Sequence, residues 1–262
     1  MTSGNLEAVL KRDRAFVIAG LAGVAAIAWA YIFYLDRAMG KSMGTGMEMG
    51  IARMQGWGPV EFLLMFLMWA VMMVAMMIPS ATPMILTYSR INRRRHEQRN
   101  PLVATGAFLS GYLMVWTVFS AVATFAQWRL QQADLLSSMM VSNNPLFGGL
   151  LLIGAGVFQF TPLKNACLTQ CRSPIGFFMT EWREGNKGAF SMGVLHGTYC
   201  VGCCWLLMAL LFVAGVMNLL WVAAIAAYVL VEKIVPAGNW VGRAVGLCTI
   251  VVGAWMITKT FL

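Results

Sequence analysis

From residue 188 to residue 231 the chain carries no Asp, Glu, Lys or Arg, and this run is too long for a single membrane crossing. Such a run must fold as two apolar elements joined by a turn, and Gly215-Val216-Met217-Asn218 supplies the turn chemistry. Inside the first of the two lies His196-Gly-Thr-Tyr-Cys200-Val-Gly-Cys203-Cys204. On a helix His196, Cys200 and Cys203 stand at i, i+4 and i+7, one face, and Cys204 borders it. Thiolate and imidazole converging in a low-dielectric wall favour Cu(I) or zinc. A lone buried thiol or histidine is more often packing, and the clustering is what sets this face apart.

The rest of the chain follows the same pattern. Sixty per cent of its 262 residues are hydrophobic and 11% are charged, against about 25% charged in soluble domains. The expected fold is an all-α, polytopic transmembrane bundle of about seven spans, a single membrane domain over 1–262 with the lipid bilayer as its solvent. Segment 1–14 reads as a cytoplasmic N-terminal segment. The spans fall at about 15–35, 62–86, 102–125, 146–160, 189–213, 219–231 and 240–257. The N-terminal apolar run is too long for a secretory h-region and lacks a small-residue cleavage end, so it reads as a span.

A net charge of +9 suggests nucleic acid only until the charges are placed. Lys11 to Arg14, the 89–101 connection, the 163–188 connection and the 232–243 connection hold fourteen Lys and Arg. The opposite connections hold four: Arg37, Lys41, Arg53 and Arg129. The bias places the N-terminus in the cytoplasm and the C-terminus outside an inner membrane. No nucleic-acid role is expected. His96, among arginines in a loop, reads as solvated. Glu232 and Lys233 read as interfacial, with their heads snorkelling to water.

Three further features bear on chemistry. Cys167 and Cys171 form a second i, i+4 pair. Thr161-Pro162 before them looks like an N-cap with Pro at N1, so a new helical turn starts there. This pair sits towards the cytoplasmic end of the fourth span, as a separate exchange pair or as part of one site with His196. A joint site requires the short helix to dip into the membrane. Among 21 methionines, Met43, Met47, Met49 and Met54 lie in a Gly-rich segment placed outside, where thioethers hold Cu(I) without deprotonation. Met65, Met68, Met72 and Met76, with Met73, Met77 and Met84, stripe the second span and read as core filler. Pro79 and Pro83 interrupt that span, with Ser80 and Thr82 placed to satisfy freed carbonyls.

No nucleotide loop, G-x-S-x-G or H-E-x-x-H occurs. The ordered set Met76-Met77-Ile78-Pro79-Ser80 to Pro83, Cys167-x-x-x-Cys171-x-x-Pro174, Trp182-Arg183-x-Gly185-x-x-Gly188-Ala189, His196-Gly197-x-Tyr199-Cys200-x-Gly202-Cys203-Cys204-Trp205, Met217-Asn218-Leu219 and Glu232-Lys233 resembles a bacterial family. That family is described as predicted metal-binding integral membrane proteins, sometimes labelled copper chaperones. The resemblance covers about residue 60 to the C-terminus and implies copper binding by these Cys and His.

The leading expectation is a Cu(I) carrier serving a membrane or periplasmic cuproprotein. His196, Cys200 and Cys203 would form the intramembrane site, with Cys204 as alternate ligand. The Met43, Met47, Met49 and Met54 segment would capture or release the ion. A thiol–disulfide oxidoreductase using Cys200-x-x-Cys203 is one alternative. A structural or assembly subunit of a membrane oxidase or oxygenase, its thiols merely packed, is another.

Overall fold

The computed structural model describes residues 3–45, 57–95, 101–137, 141–236 and 238–261, and these are helical almost throughout. The helices are α1 (Ser3–Thr45), α2 (Pro59–Arg95), α3 (Pro101–Gln132), α4 (Pro145–Phe158) and α5 (Pro162–Arg172). They continue as α6 (Pro174–Thr180), α7 (Gly185–Ala209), α8 (Leu211–Ala214), α9 (Leu219–Ile234) and α10 (Gly238–Phe261). Helices α2 to α6 each begin with proline, whose fixed φ and missing N–H suit a first helical turn. The Asn144 side chain accepts from the amides of Leu146 and Phe147, Thr161 from Lys164, and Asn218 from Leu220 and Trp221. The expected turn at 215–218 is present, with Gly215 at φ 96°, where a side chain would be strained.

Five segments are long and apolar enough to cross a membrane: Lys11–Arg37, Pro59–Arg95, Leu102–Gln132, Gly185–Ala214 and Gly238–Thr260. The expected fourth span is instead a bent pair, α4 and α5, meeting at 64°. The expected sixth is α9, whose 16 residues fall short of a full crossing. The other five expected spans overlap α1, α2, α3, α7 and α10, with α1 running well past the expected segment at both ends and α2 and α3 past it at their C-termini.

Packing follows small residues. Gly193 on α7 lies so close to α3 that an added Cβ would collide with the Phe108 carbonyl, and one on Gly111 would collide with Phe190. Close approach of this kind is the usual way that apolar helices associate without a hydrophobic driving force. Gly149 and Gly156 on α4 meet Gly253 and Gly246 on α10 in the same manner. Met65, Met68, Met72, Met73, Met76, Met77 and Met84 are all buried in the core, as the filler reading expects.

Helix α2 runs unbroken through Pro79 and Pro83. Pro79 cannot donate to the carbonyl of Ala75, and the Trp29 indole of α1 donates to it instead, at 3.1 Å. Ser80 and Thr82 donate instead to the Met77 and Ile78 carbonyls, which the prolines do not free, so the expected repair by these two hydroxyls is not what is seen. The Arg93–Asp13 ion pair, at 2.6 Å, brings the first basic segment and the end of α2 to the same end of the bundle.

Candidate metal centre

Helix α7 carries the thiol face inward: His196, Cys200, Cys203 and Cys204 are all buried. The tight α3–α7 approach at Gly193 sets Phe108 and Tyr112 against this face. The His196 ring stacks on Tyr112 (centroids 5.5 Å apart) and Phe108 (6.1 Å), with Phe177 edge-on at 5.8 Å. Its Nδ1 has no hydrogen-bond partner among the described residues. A buried imidazole nitrogen without a partner is costly unless a ligand occupies it part of the time.

Cys200 is the hub. Its sulfur lies 3.2 Å from the Tyr112 hydroxyl and accepts from the Lys233 ammonium at 2.9 Å. Lys233 also donates to Ser80 of α2 at 3.3 Å. The thiols of Cys203 and Cys204 donate to the Cys200 carbonyl at 3.1 and 2.8 Å, so both are rotated back onto their own helix. Cys171, buried on α5, belongs to the same packed interior as Cys200 and Cys203, where α5 lies against α7. The 64° elbow makes this contact, since it folds α5 back against α7. Cys167, one turn earlier, packs its sulfur over Gly202, where an added Cβ would come within 2.8 Å of it. All six thiols are free, and Cys248 stands apart, exposed on α10.

Among the described residues, no group of three or more His, Cys, Asp and Glu stands arranged to hold a metal ion. The turned-back rotamers of Cys203 and Cys204 are the local reason. Met47, Met49 and Met54 lie outside the described residues, as does His96. Of Met43 only the backbone is described, and it belongs to α1 rather than to a loop.

Glu232 and Lys233 are not interfacial. They are buried, at 2% and 8% exposure, and as sequence neighbours on α9 they point to different partners. Glu232 pairs with Lys164 at 2.6 Å, and Lys164 is itself 1% exposed rather than a solvated loop charge. Gln159, in the break between α4 and α5, accepts from Lys164, and the Tyr228 hydroxyl donates to Glu232 at 3.1 Å. Snorkelling to water does not occur: Glu232 meets Lys164 and Tyr228 inside the bundle, and Lys233 meets Cys200 and Ser80.

The site thus includes Lys233, Ser80 and Tyr112, which the sequence reading did not single out as site residues. An acidic and a basic residue side by side at the end of an apolar helix were the only available signal for Lys233. Tyr112 gave none.

Sulfur donors gathered in an apolar helical enclosure, with an imidazole and an ammonium beside them, have the donor chemistry that suits soft ions. The family model described as PpoB2, copper chaperone, matches residues 66–256, and the chain belongs to that family. The match spans the thiol face, the α5 cysteines and the buried charges. Copper handling is therefore the family's business, and the resemblance read from the motifs agrees with it. No curated protein and no solved structure matches the chain.

Proposed function

We propose that the chain is an integral inner-membrane carrier that binds Cu(I) through Cys200 and one further thiol and passes it to a membrane or periplasmic cuproprotein. The observation that carries this reading is the packing of α5, with Cys167 and Cys171, against the Cys200–Cys203 face of α7 in the buried interior. Two sulfurs suffice for Cu(I), which accepts two-coordinate thiolate ligation, whereas zinc requires four ligands. Each thiol that binds gives up its proton. The remaining thiols serve as exchange ligands, and His196 Nδ1 is a neutral donor on the same face. Stepwise ligand exchange lets the ion move without a deep trap, which a carrier requires. Cys167 forms the next step towards the cytoplasmic end, and the Met43, Met47 and Met49 segment receives or supplies the ion outside.

In this reading α4–α5 is one broken crossing and α9 a short one, giving seven, with the N-terminus in the cytoplasm and the C-terminus outside. Broken helices in transporters place sites near mid-membrane. The test is the copper content of detergent-purified protein loaded anaerobically with Cu(I). Wild type should hold stoichiometric copper, and the Cys171→Ser/Cys200→Ser/Cys203→Ser variant should hold none. Equal copper in both, or none in either, would overturn the proposal, and a redox-dependent Cys200–Cys203 bridge on thiol trapping would put disulfide exchange in its place.

A further inference from the structure

Lys233 is a buried ammonium that meets no carboxylate among the described residues. Its adjacent glutamate is engaged with Lys164. What it does meet is the sulfur of Cys200 at 2.9 Å and the hydroxyl of Ser80 at 3.3 Å, and the other groups around it are Cys203, Cys171 and Tyr112. An apolar interior tolerates a fixed cation only where a negative charge balances it. Among the described residues, the groups that can carry that charge beside Lys233 are those of the thiol site.

We propose that Lys233 is the fixed counter-cation of the metal-loaded site, and that it sets the site's preference for a monovalent soft ion over a divalent one. The inference rests on the reading that Cys200 and one other thiol hold the metal. Two thiolates and one Cu(I) carry a net charge of −1, and Lys233 brings the buried assembly to zero. Two thiolates and one Zn(II) are already neutral, and Lys233 leaves the assembly at +1. The discrimination needs no change in the sulfur ligands, because it comes from the uncompensated buried charge that a divalent ion would create. The ammonium keeps its proton in both cases, and the protons released on binding are those of the thiols, which leave to solvent. Ser80 of α2 also holds the ammonium, and Tyr112 of α3 contacts the Cys200 sulfur.

Removing the charge should therefore shift the ratio of the two affinities, because the two loaded sites differ by one unit of charge and share one metal-free state. A loss of packing or of fold would weaken both together. The experiment is competition binding of Ag(I), a redox-inert monovalent probe, and of Zn(II) to detergent-purified protein, comparing wild type, Lys233→Met and Lys233→Arg. In Lys233→Met the ratio of Ag(I) to Zn(II) affinity should fall by about tenfold or more at the separation seen here. Lys233→Arg keeps the charge and should keep the wild-type order. The inference is overturned if both ions weaken in parallel in Lys233→Met, if the ratio does not move, or if Lys233→Arg shifts it as far as methionine does. Should Lys233→Met not fold, Lys233→Gln, which keeps a donor to Ser80 without the charge, answers the same question. A wild type that binds neither ion would sink the copper reading itself, whereas wild-type Ag(I) binding with an unchanged ratio would sink only the role of Lys233.

Discussion

The buried Lys164–Glu232 pair makes a demanding prediction about what holds the α4–α5 elbow against α9. Both side chains are about 2% exposed, their nitrogen and oxygen are 2.6 Å apart, and no solvent screens them. Lys164→Met leaves Glu232 with the Tyr228 hydroxyl as its one remaining donor, a buried carboxylate without its cation. Breaking a buried pair from one side costs about 3–5 kcal/mol, while removing both charges is close to neutral. Lys164→Met should therefore lose about that much stability. The Lys164→Met/Glu232→Gln double variant should recover most of it, since Tyr228 keeps an acceptor and Gln159 contacts Tyr228. Unfolding in mixed detergent micelles, followed by tryptophan fluorescence, measures all three forms. The single-variant cost should not change with added salt, because screening does not reach a buried pair. A Lys164→Met cost below about 1 kcal/mol, or a double variant that is the sum of its singles, would refute the reasoning.

Trp29→Phe strands the Ala75 carbonyl that Pro79 leaves open, and should cost about 1–3 kcal/mol in the same unfolding assay. Gly193→Leu drives a side chain into the Phe108 carbonyl and should cost at least about 1–3 kcal/mol. It should also lower metal binding, because Tyr112 moves away from Cys200. Asn218→Ala removes the α9 cap and should cost about 1 kcal/mol, with copper binding unchanged. Cys248→Ser should leave copper content at the wild-type level on elemental analysis, since that thiol stands outside the cluster.

Helix positions are legible because a chain this apolar has few ways to satisfy its backbone, and proline or a capping asparagine marks where α2 to α6 and α9 start. The inward face of α7 was legible too, since 3.6-residue periodicity alone puts His196, Cys200 and Cys203 together. The joining of Cys171 to that face was left open, because it depends on the 64° elbow at 159–161. A sequence records the break as Thr161-Pro162 but not its angle. Glu232 and Lys233 were misread for a different reason. Adjacent residues on a helix point about 100° apart, so opposite charges next to one another look like a solvated pair and instead serve two separate buried partners. Lys164 was counted among the loop charges for want of any sign that Glu232 faces it. Tyr112 and Ser80 carry no signal of their own, and only the packing of α3 and α2 against α7 and α9 brings them to the thiols.

The central claim is that the α5 and α7 sulfurs together hold Cu(I). Its most direct test is X-ray absorption at the copper edge on the anaerobically loaded protein, wild type beside Cys171→Ser and Cys200→Ser. The account predicts a Cu(I) edge with a sulfur-dominated shell in wild type, with the sulfur count reduced or the metal lost in either variant. A nitrogen- or oxygen-dominated shell in wild type, or a sulfur shell unchanged in both variants, would contradict it.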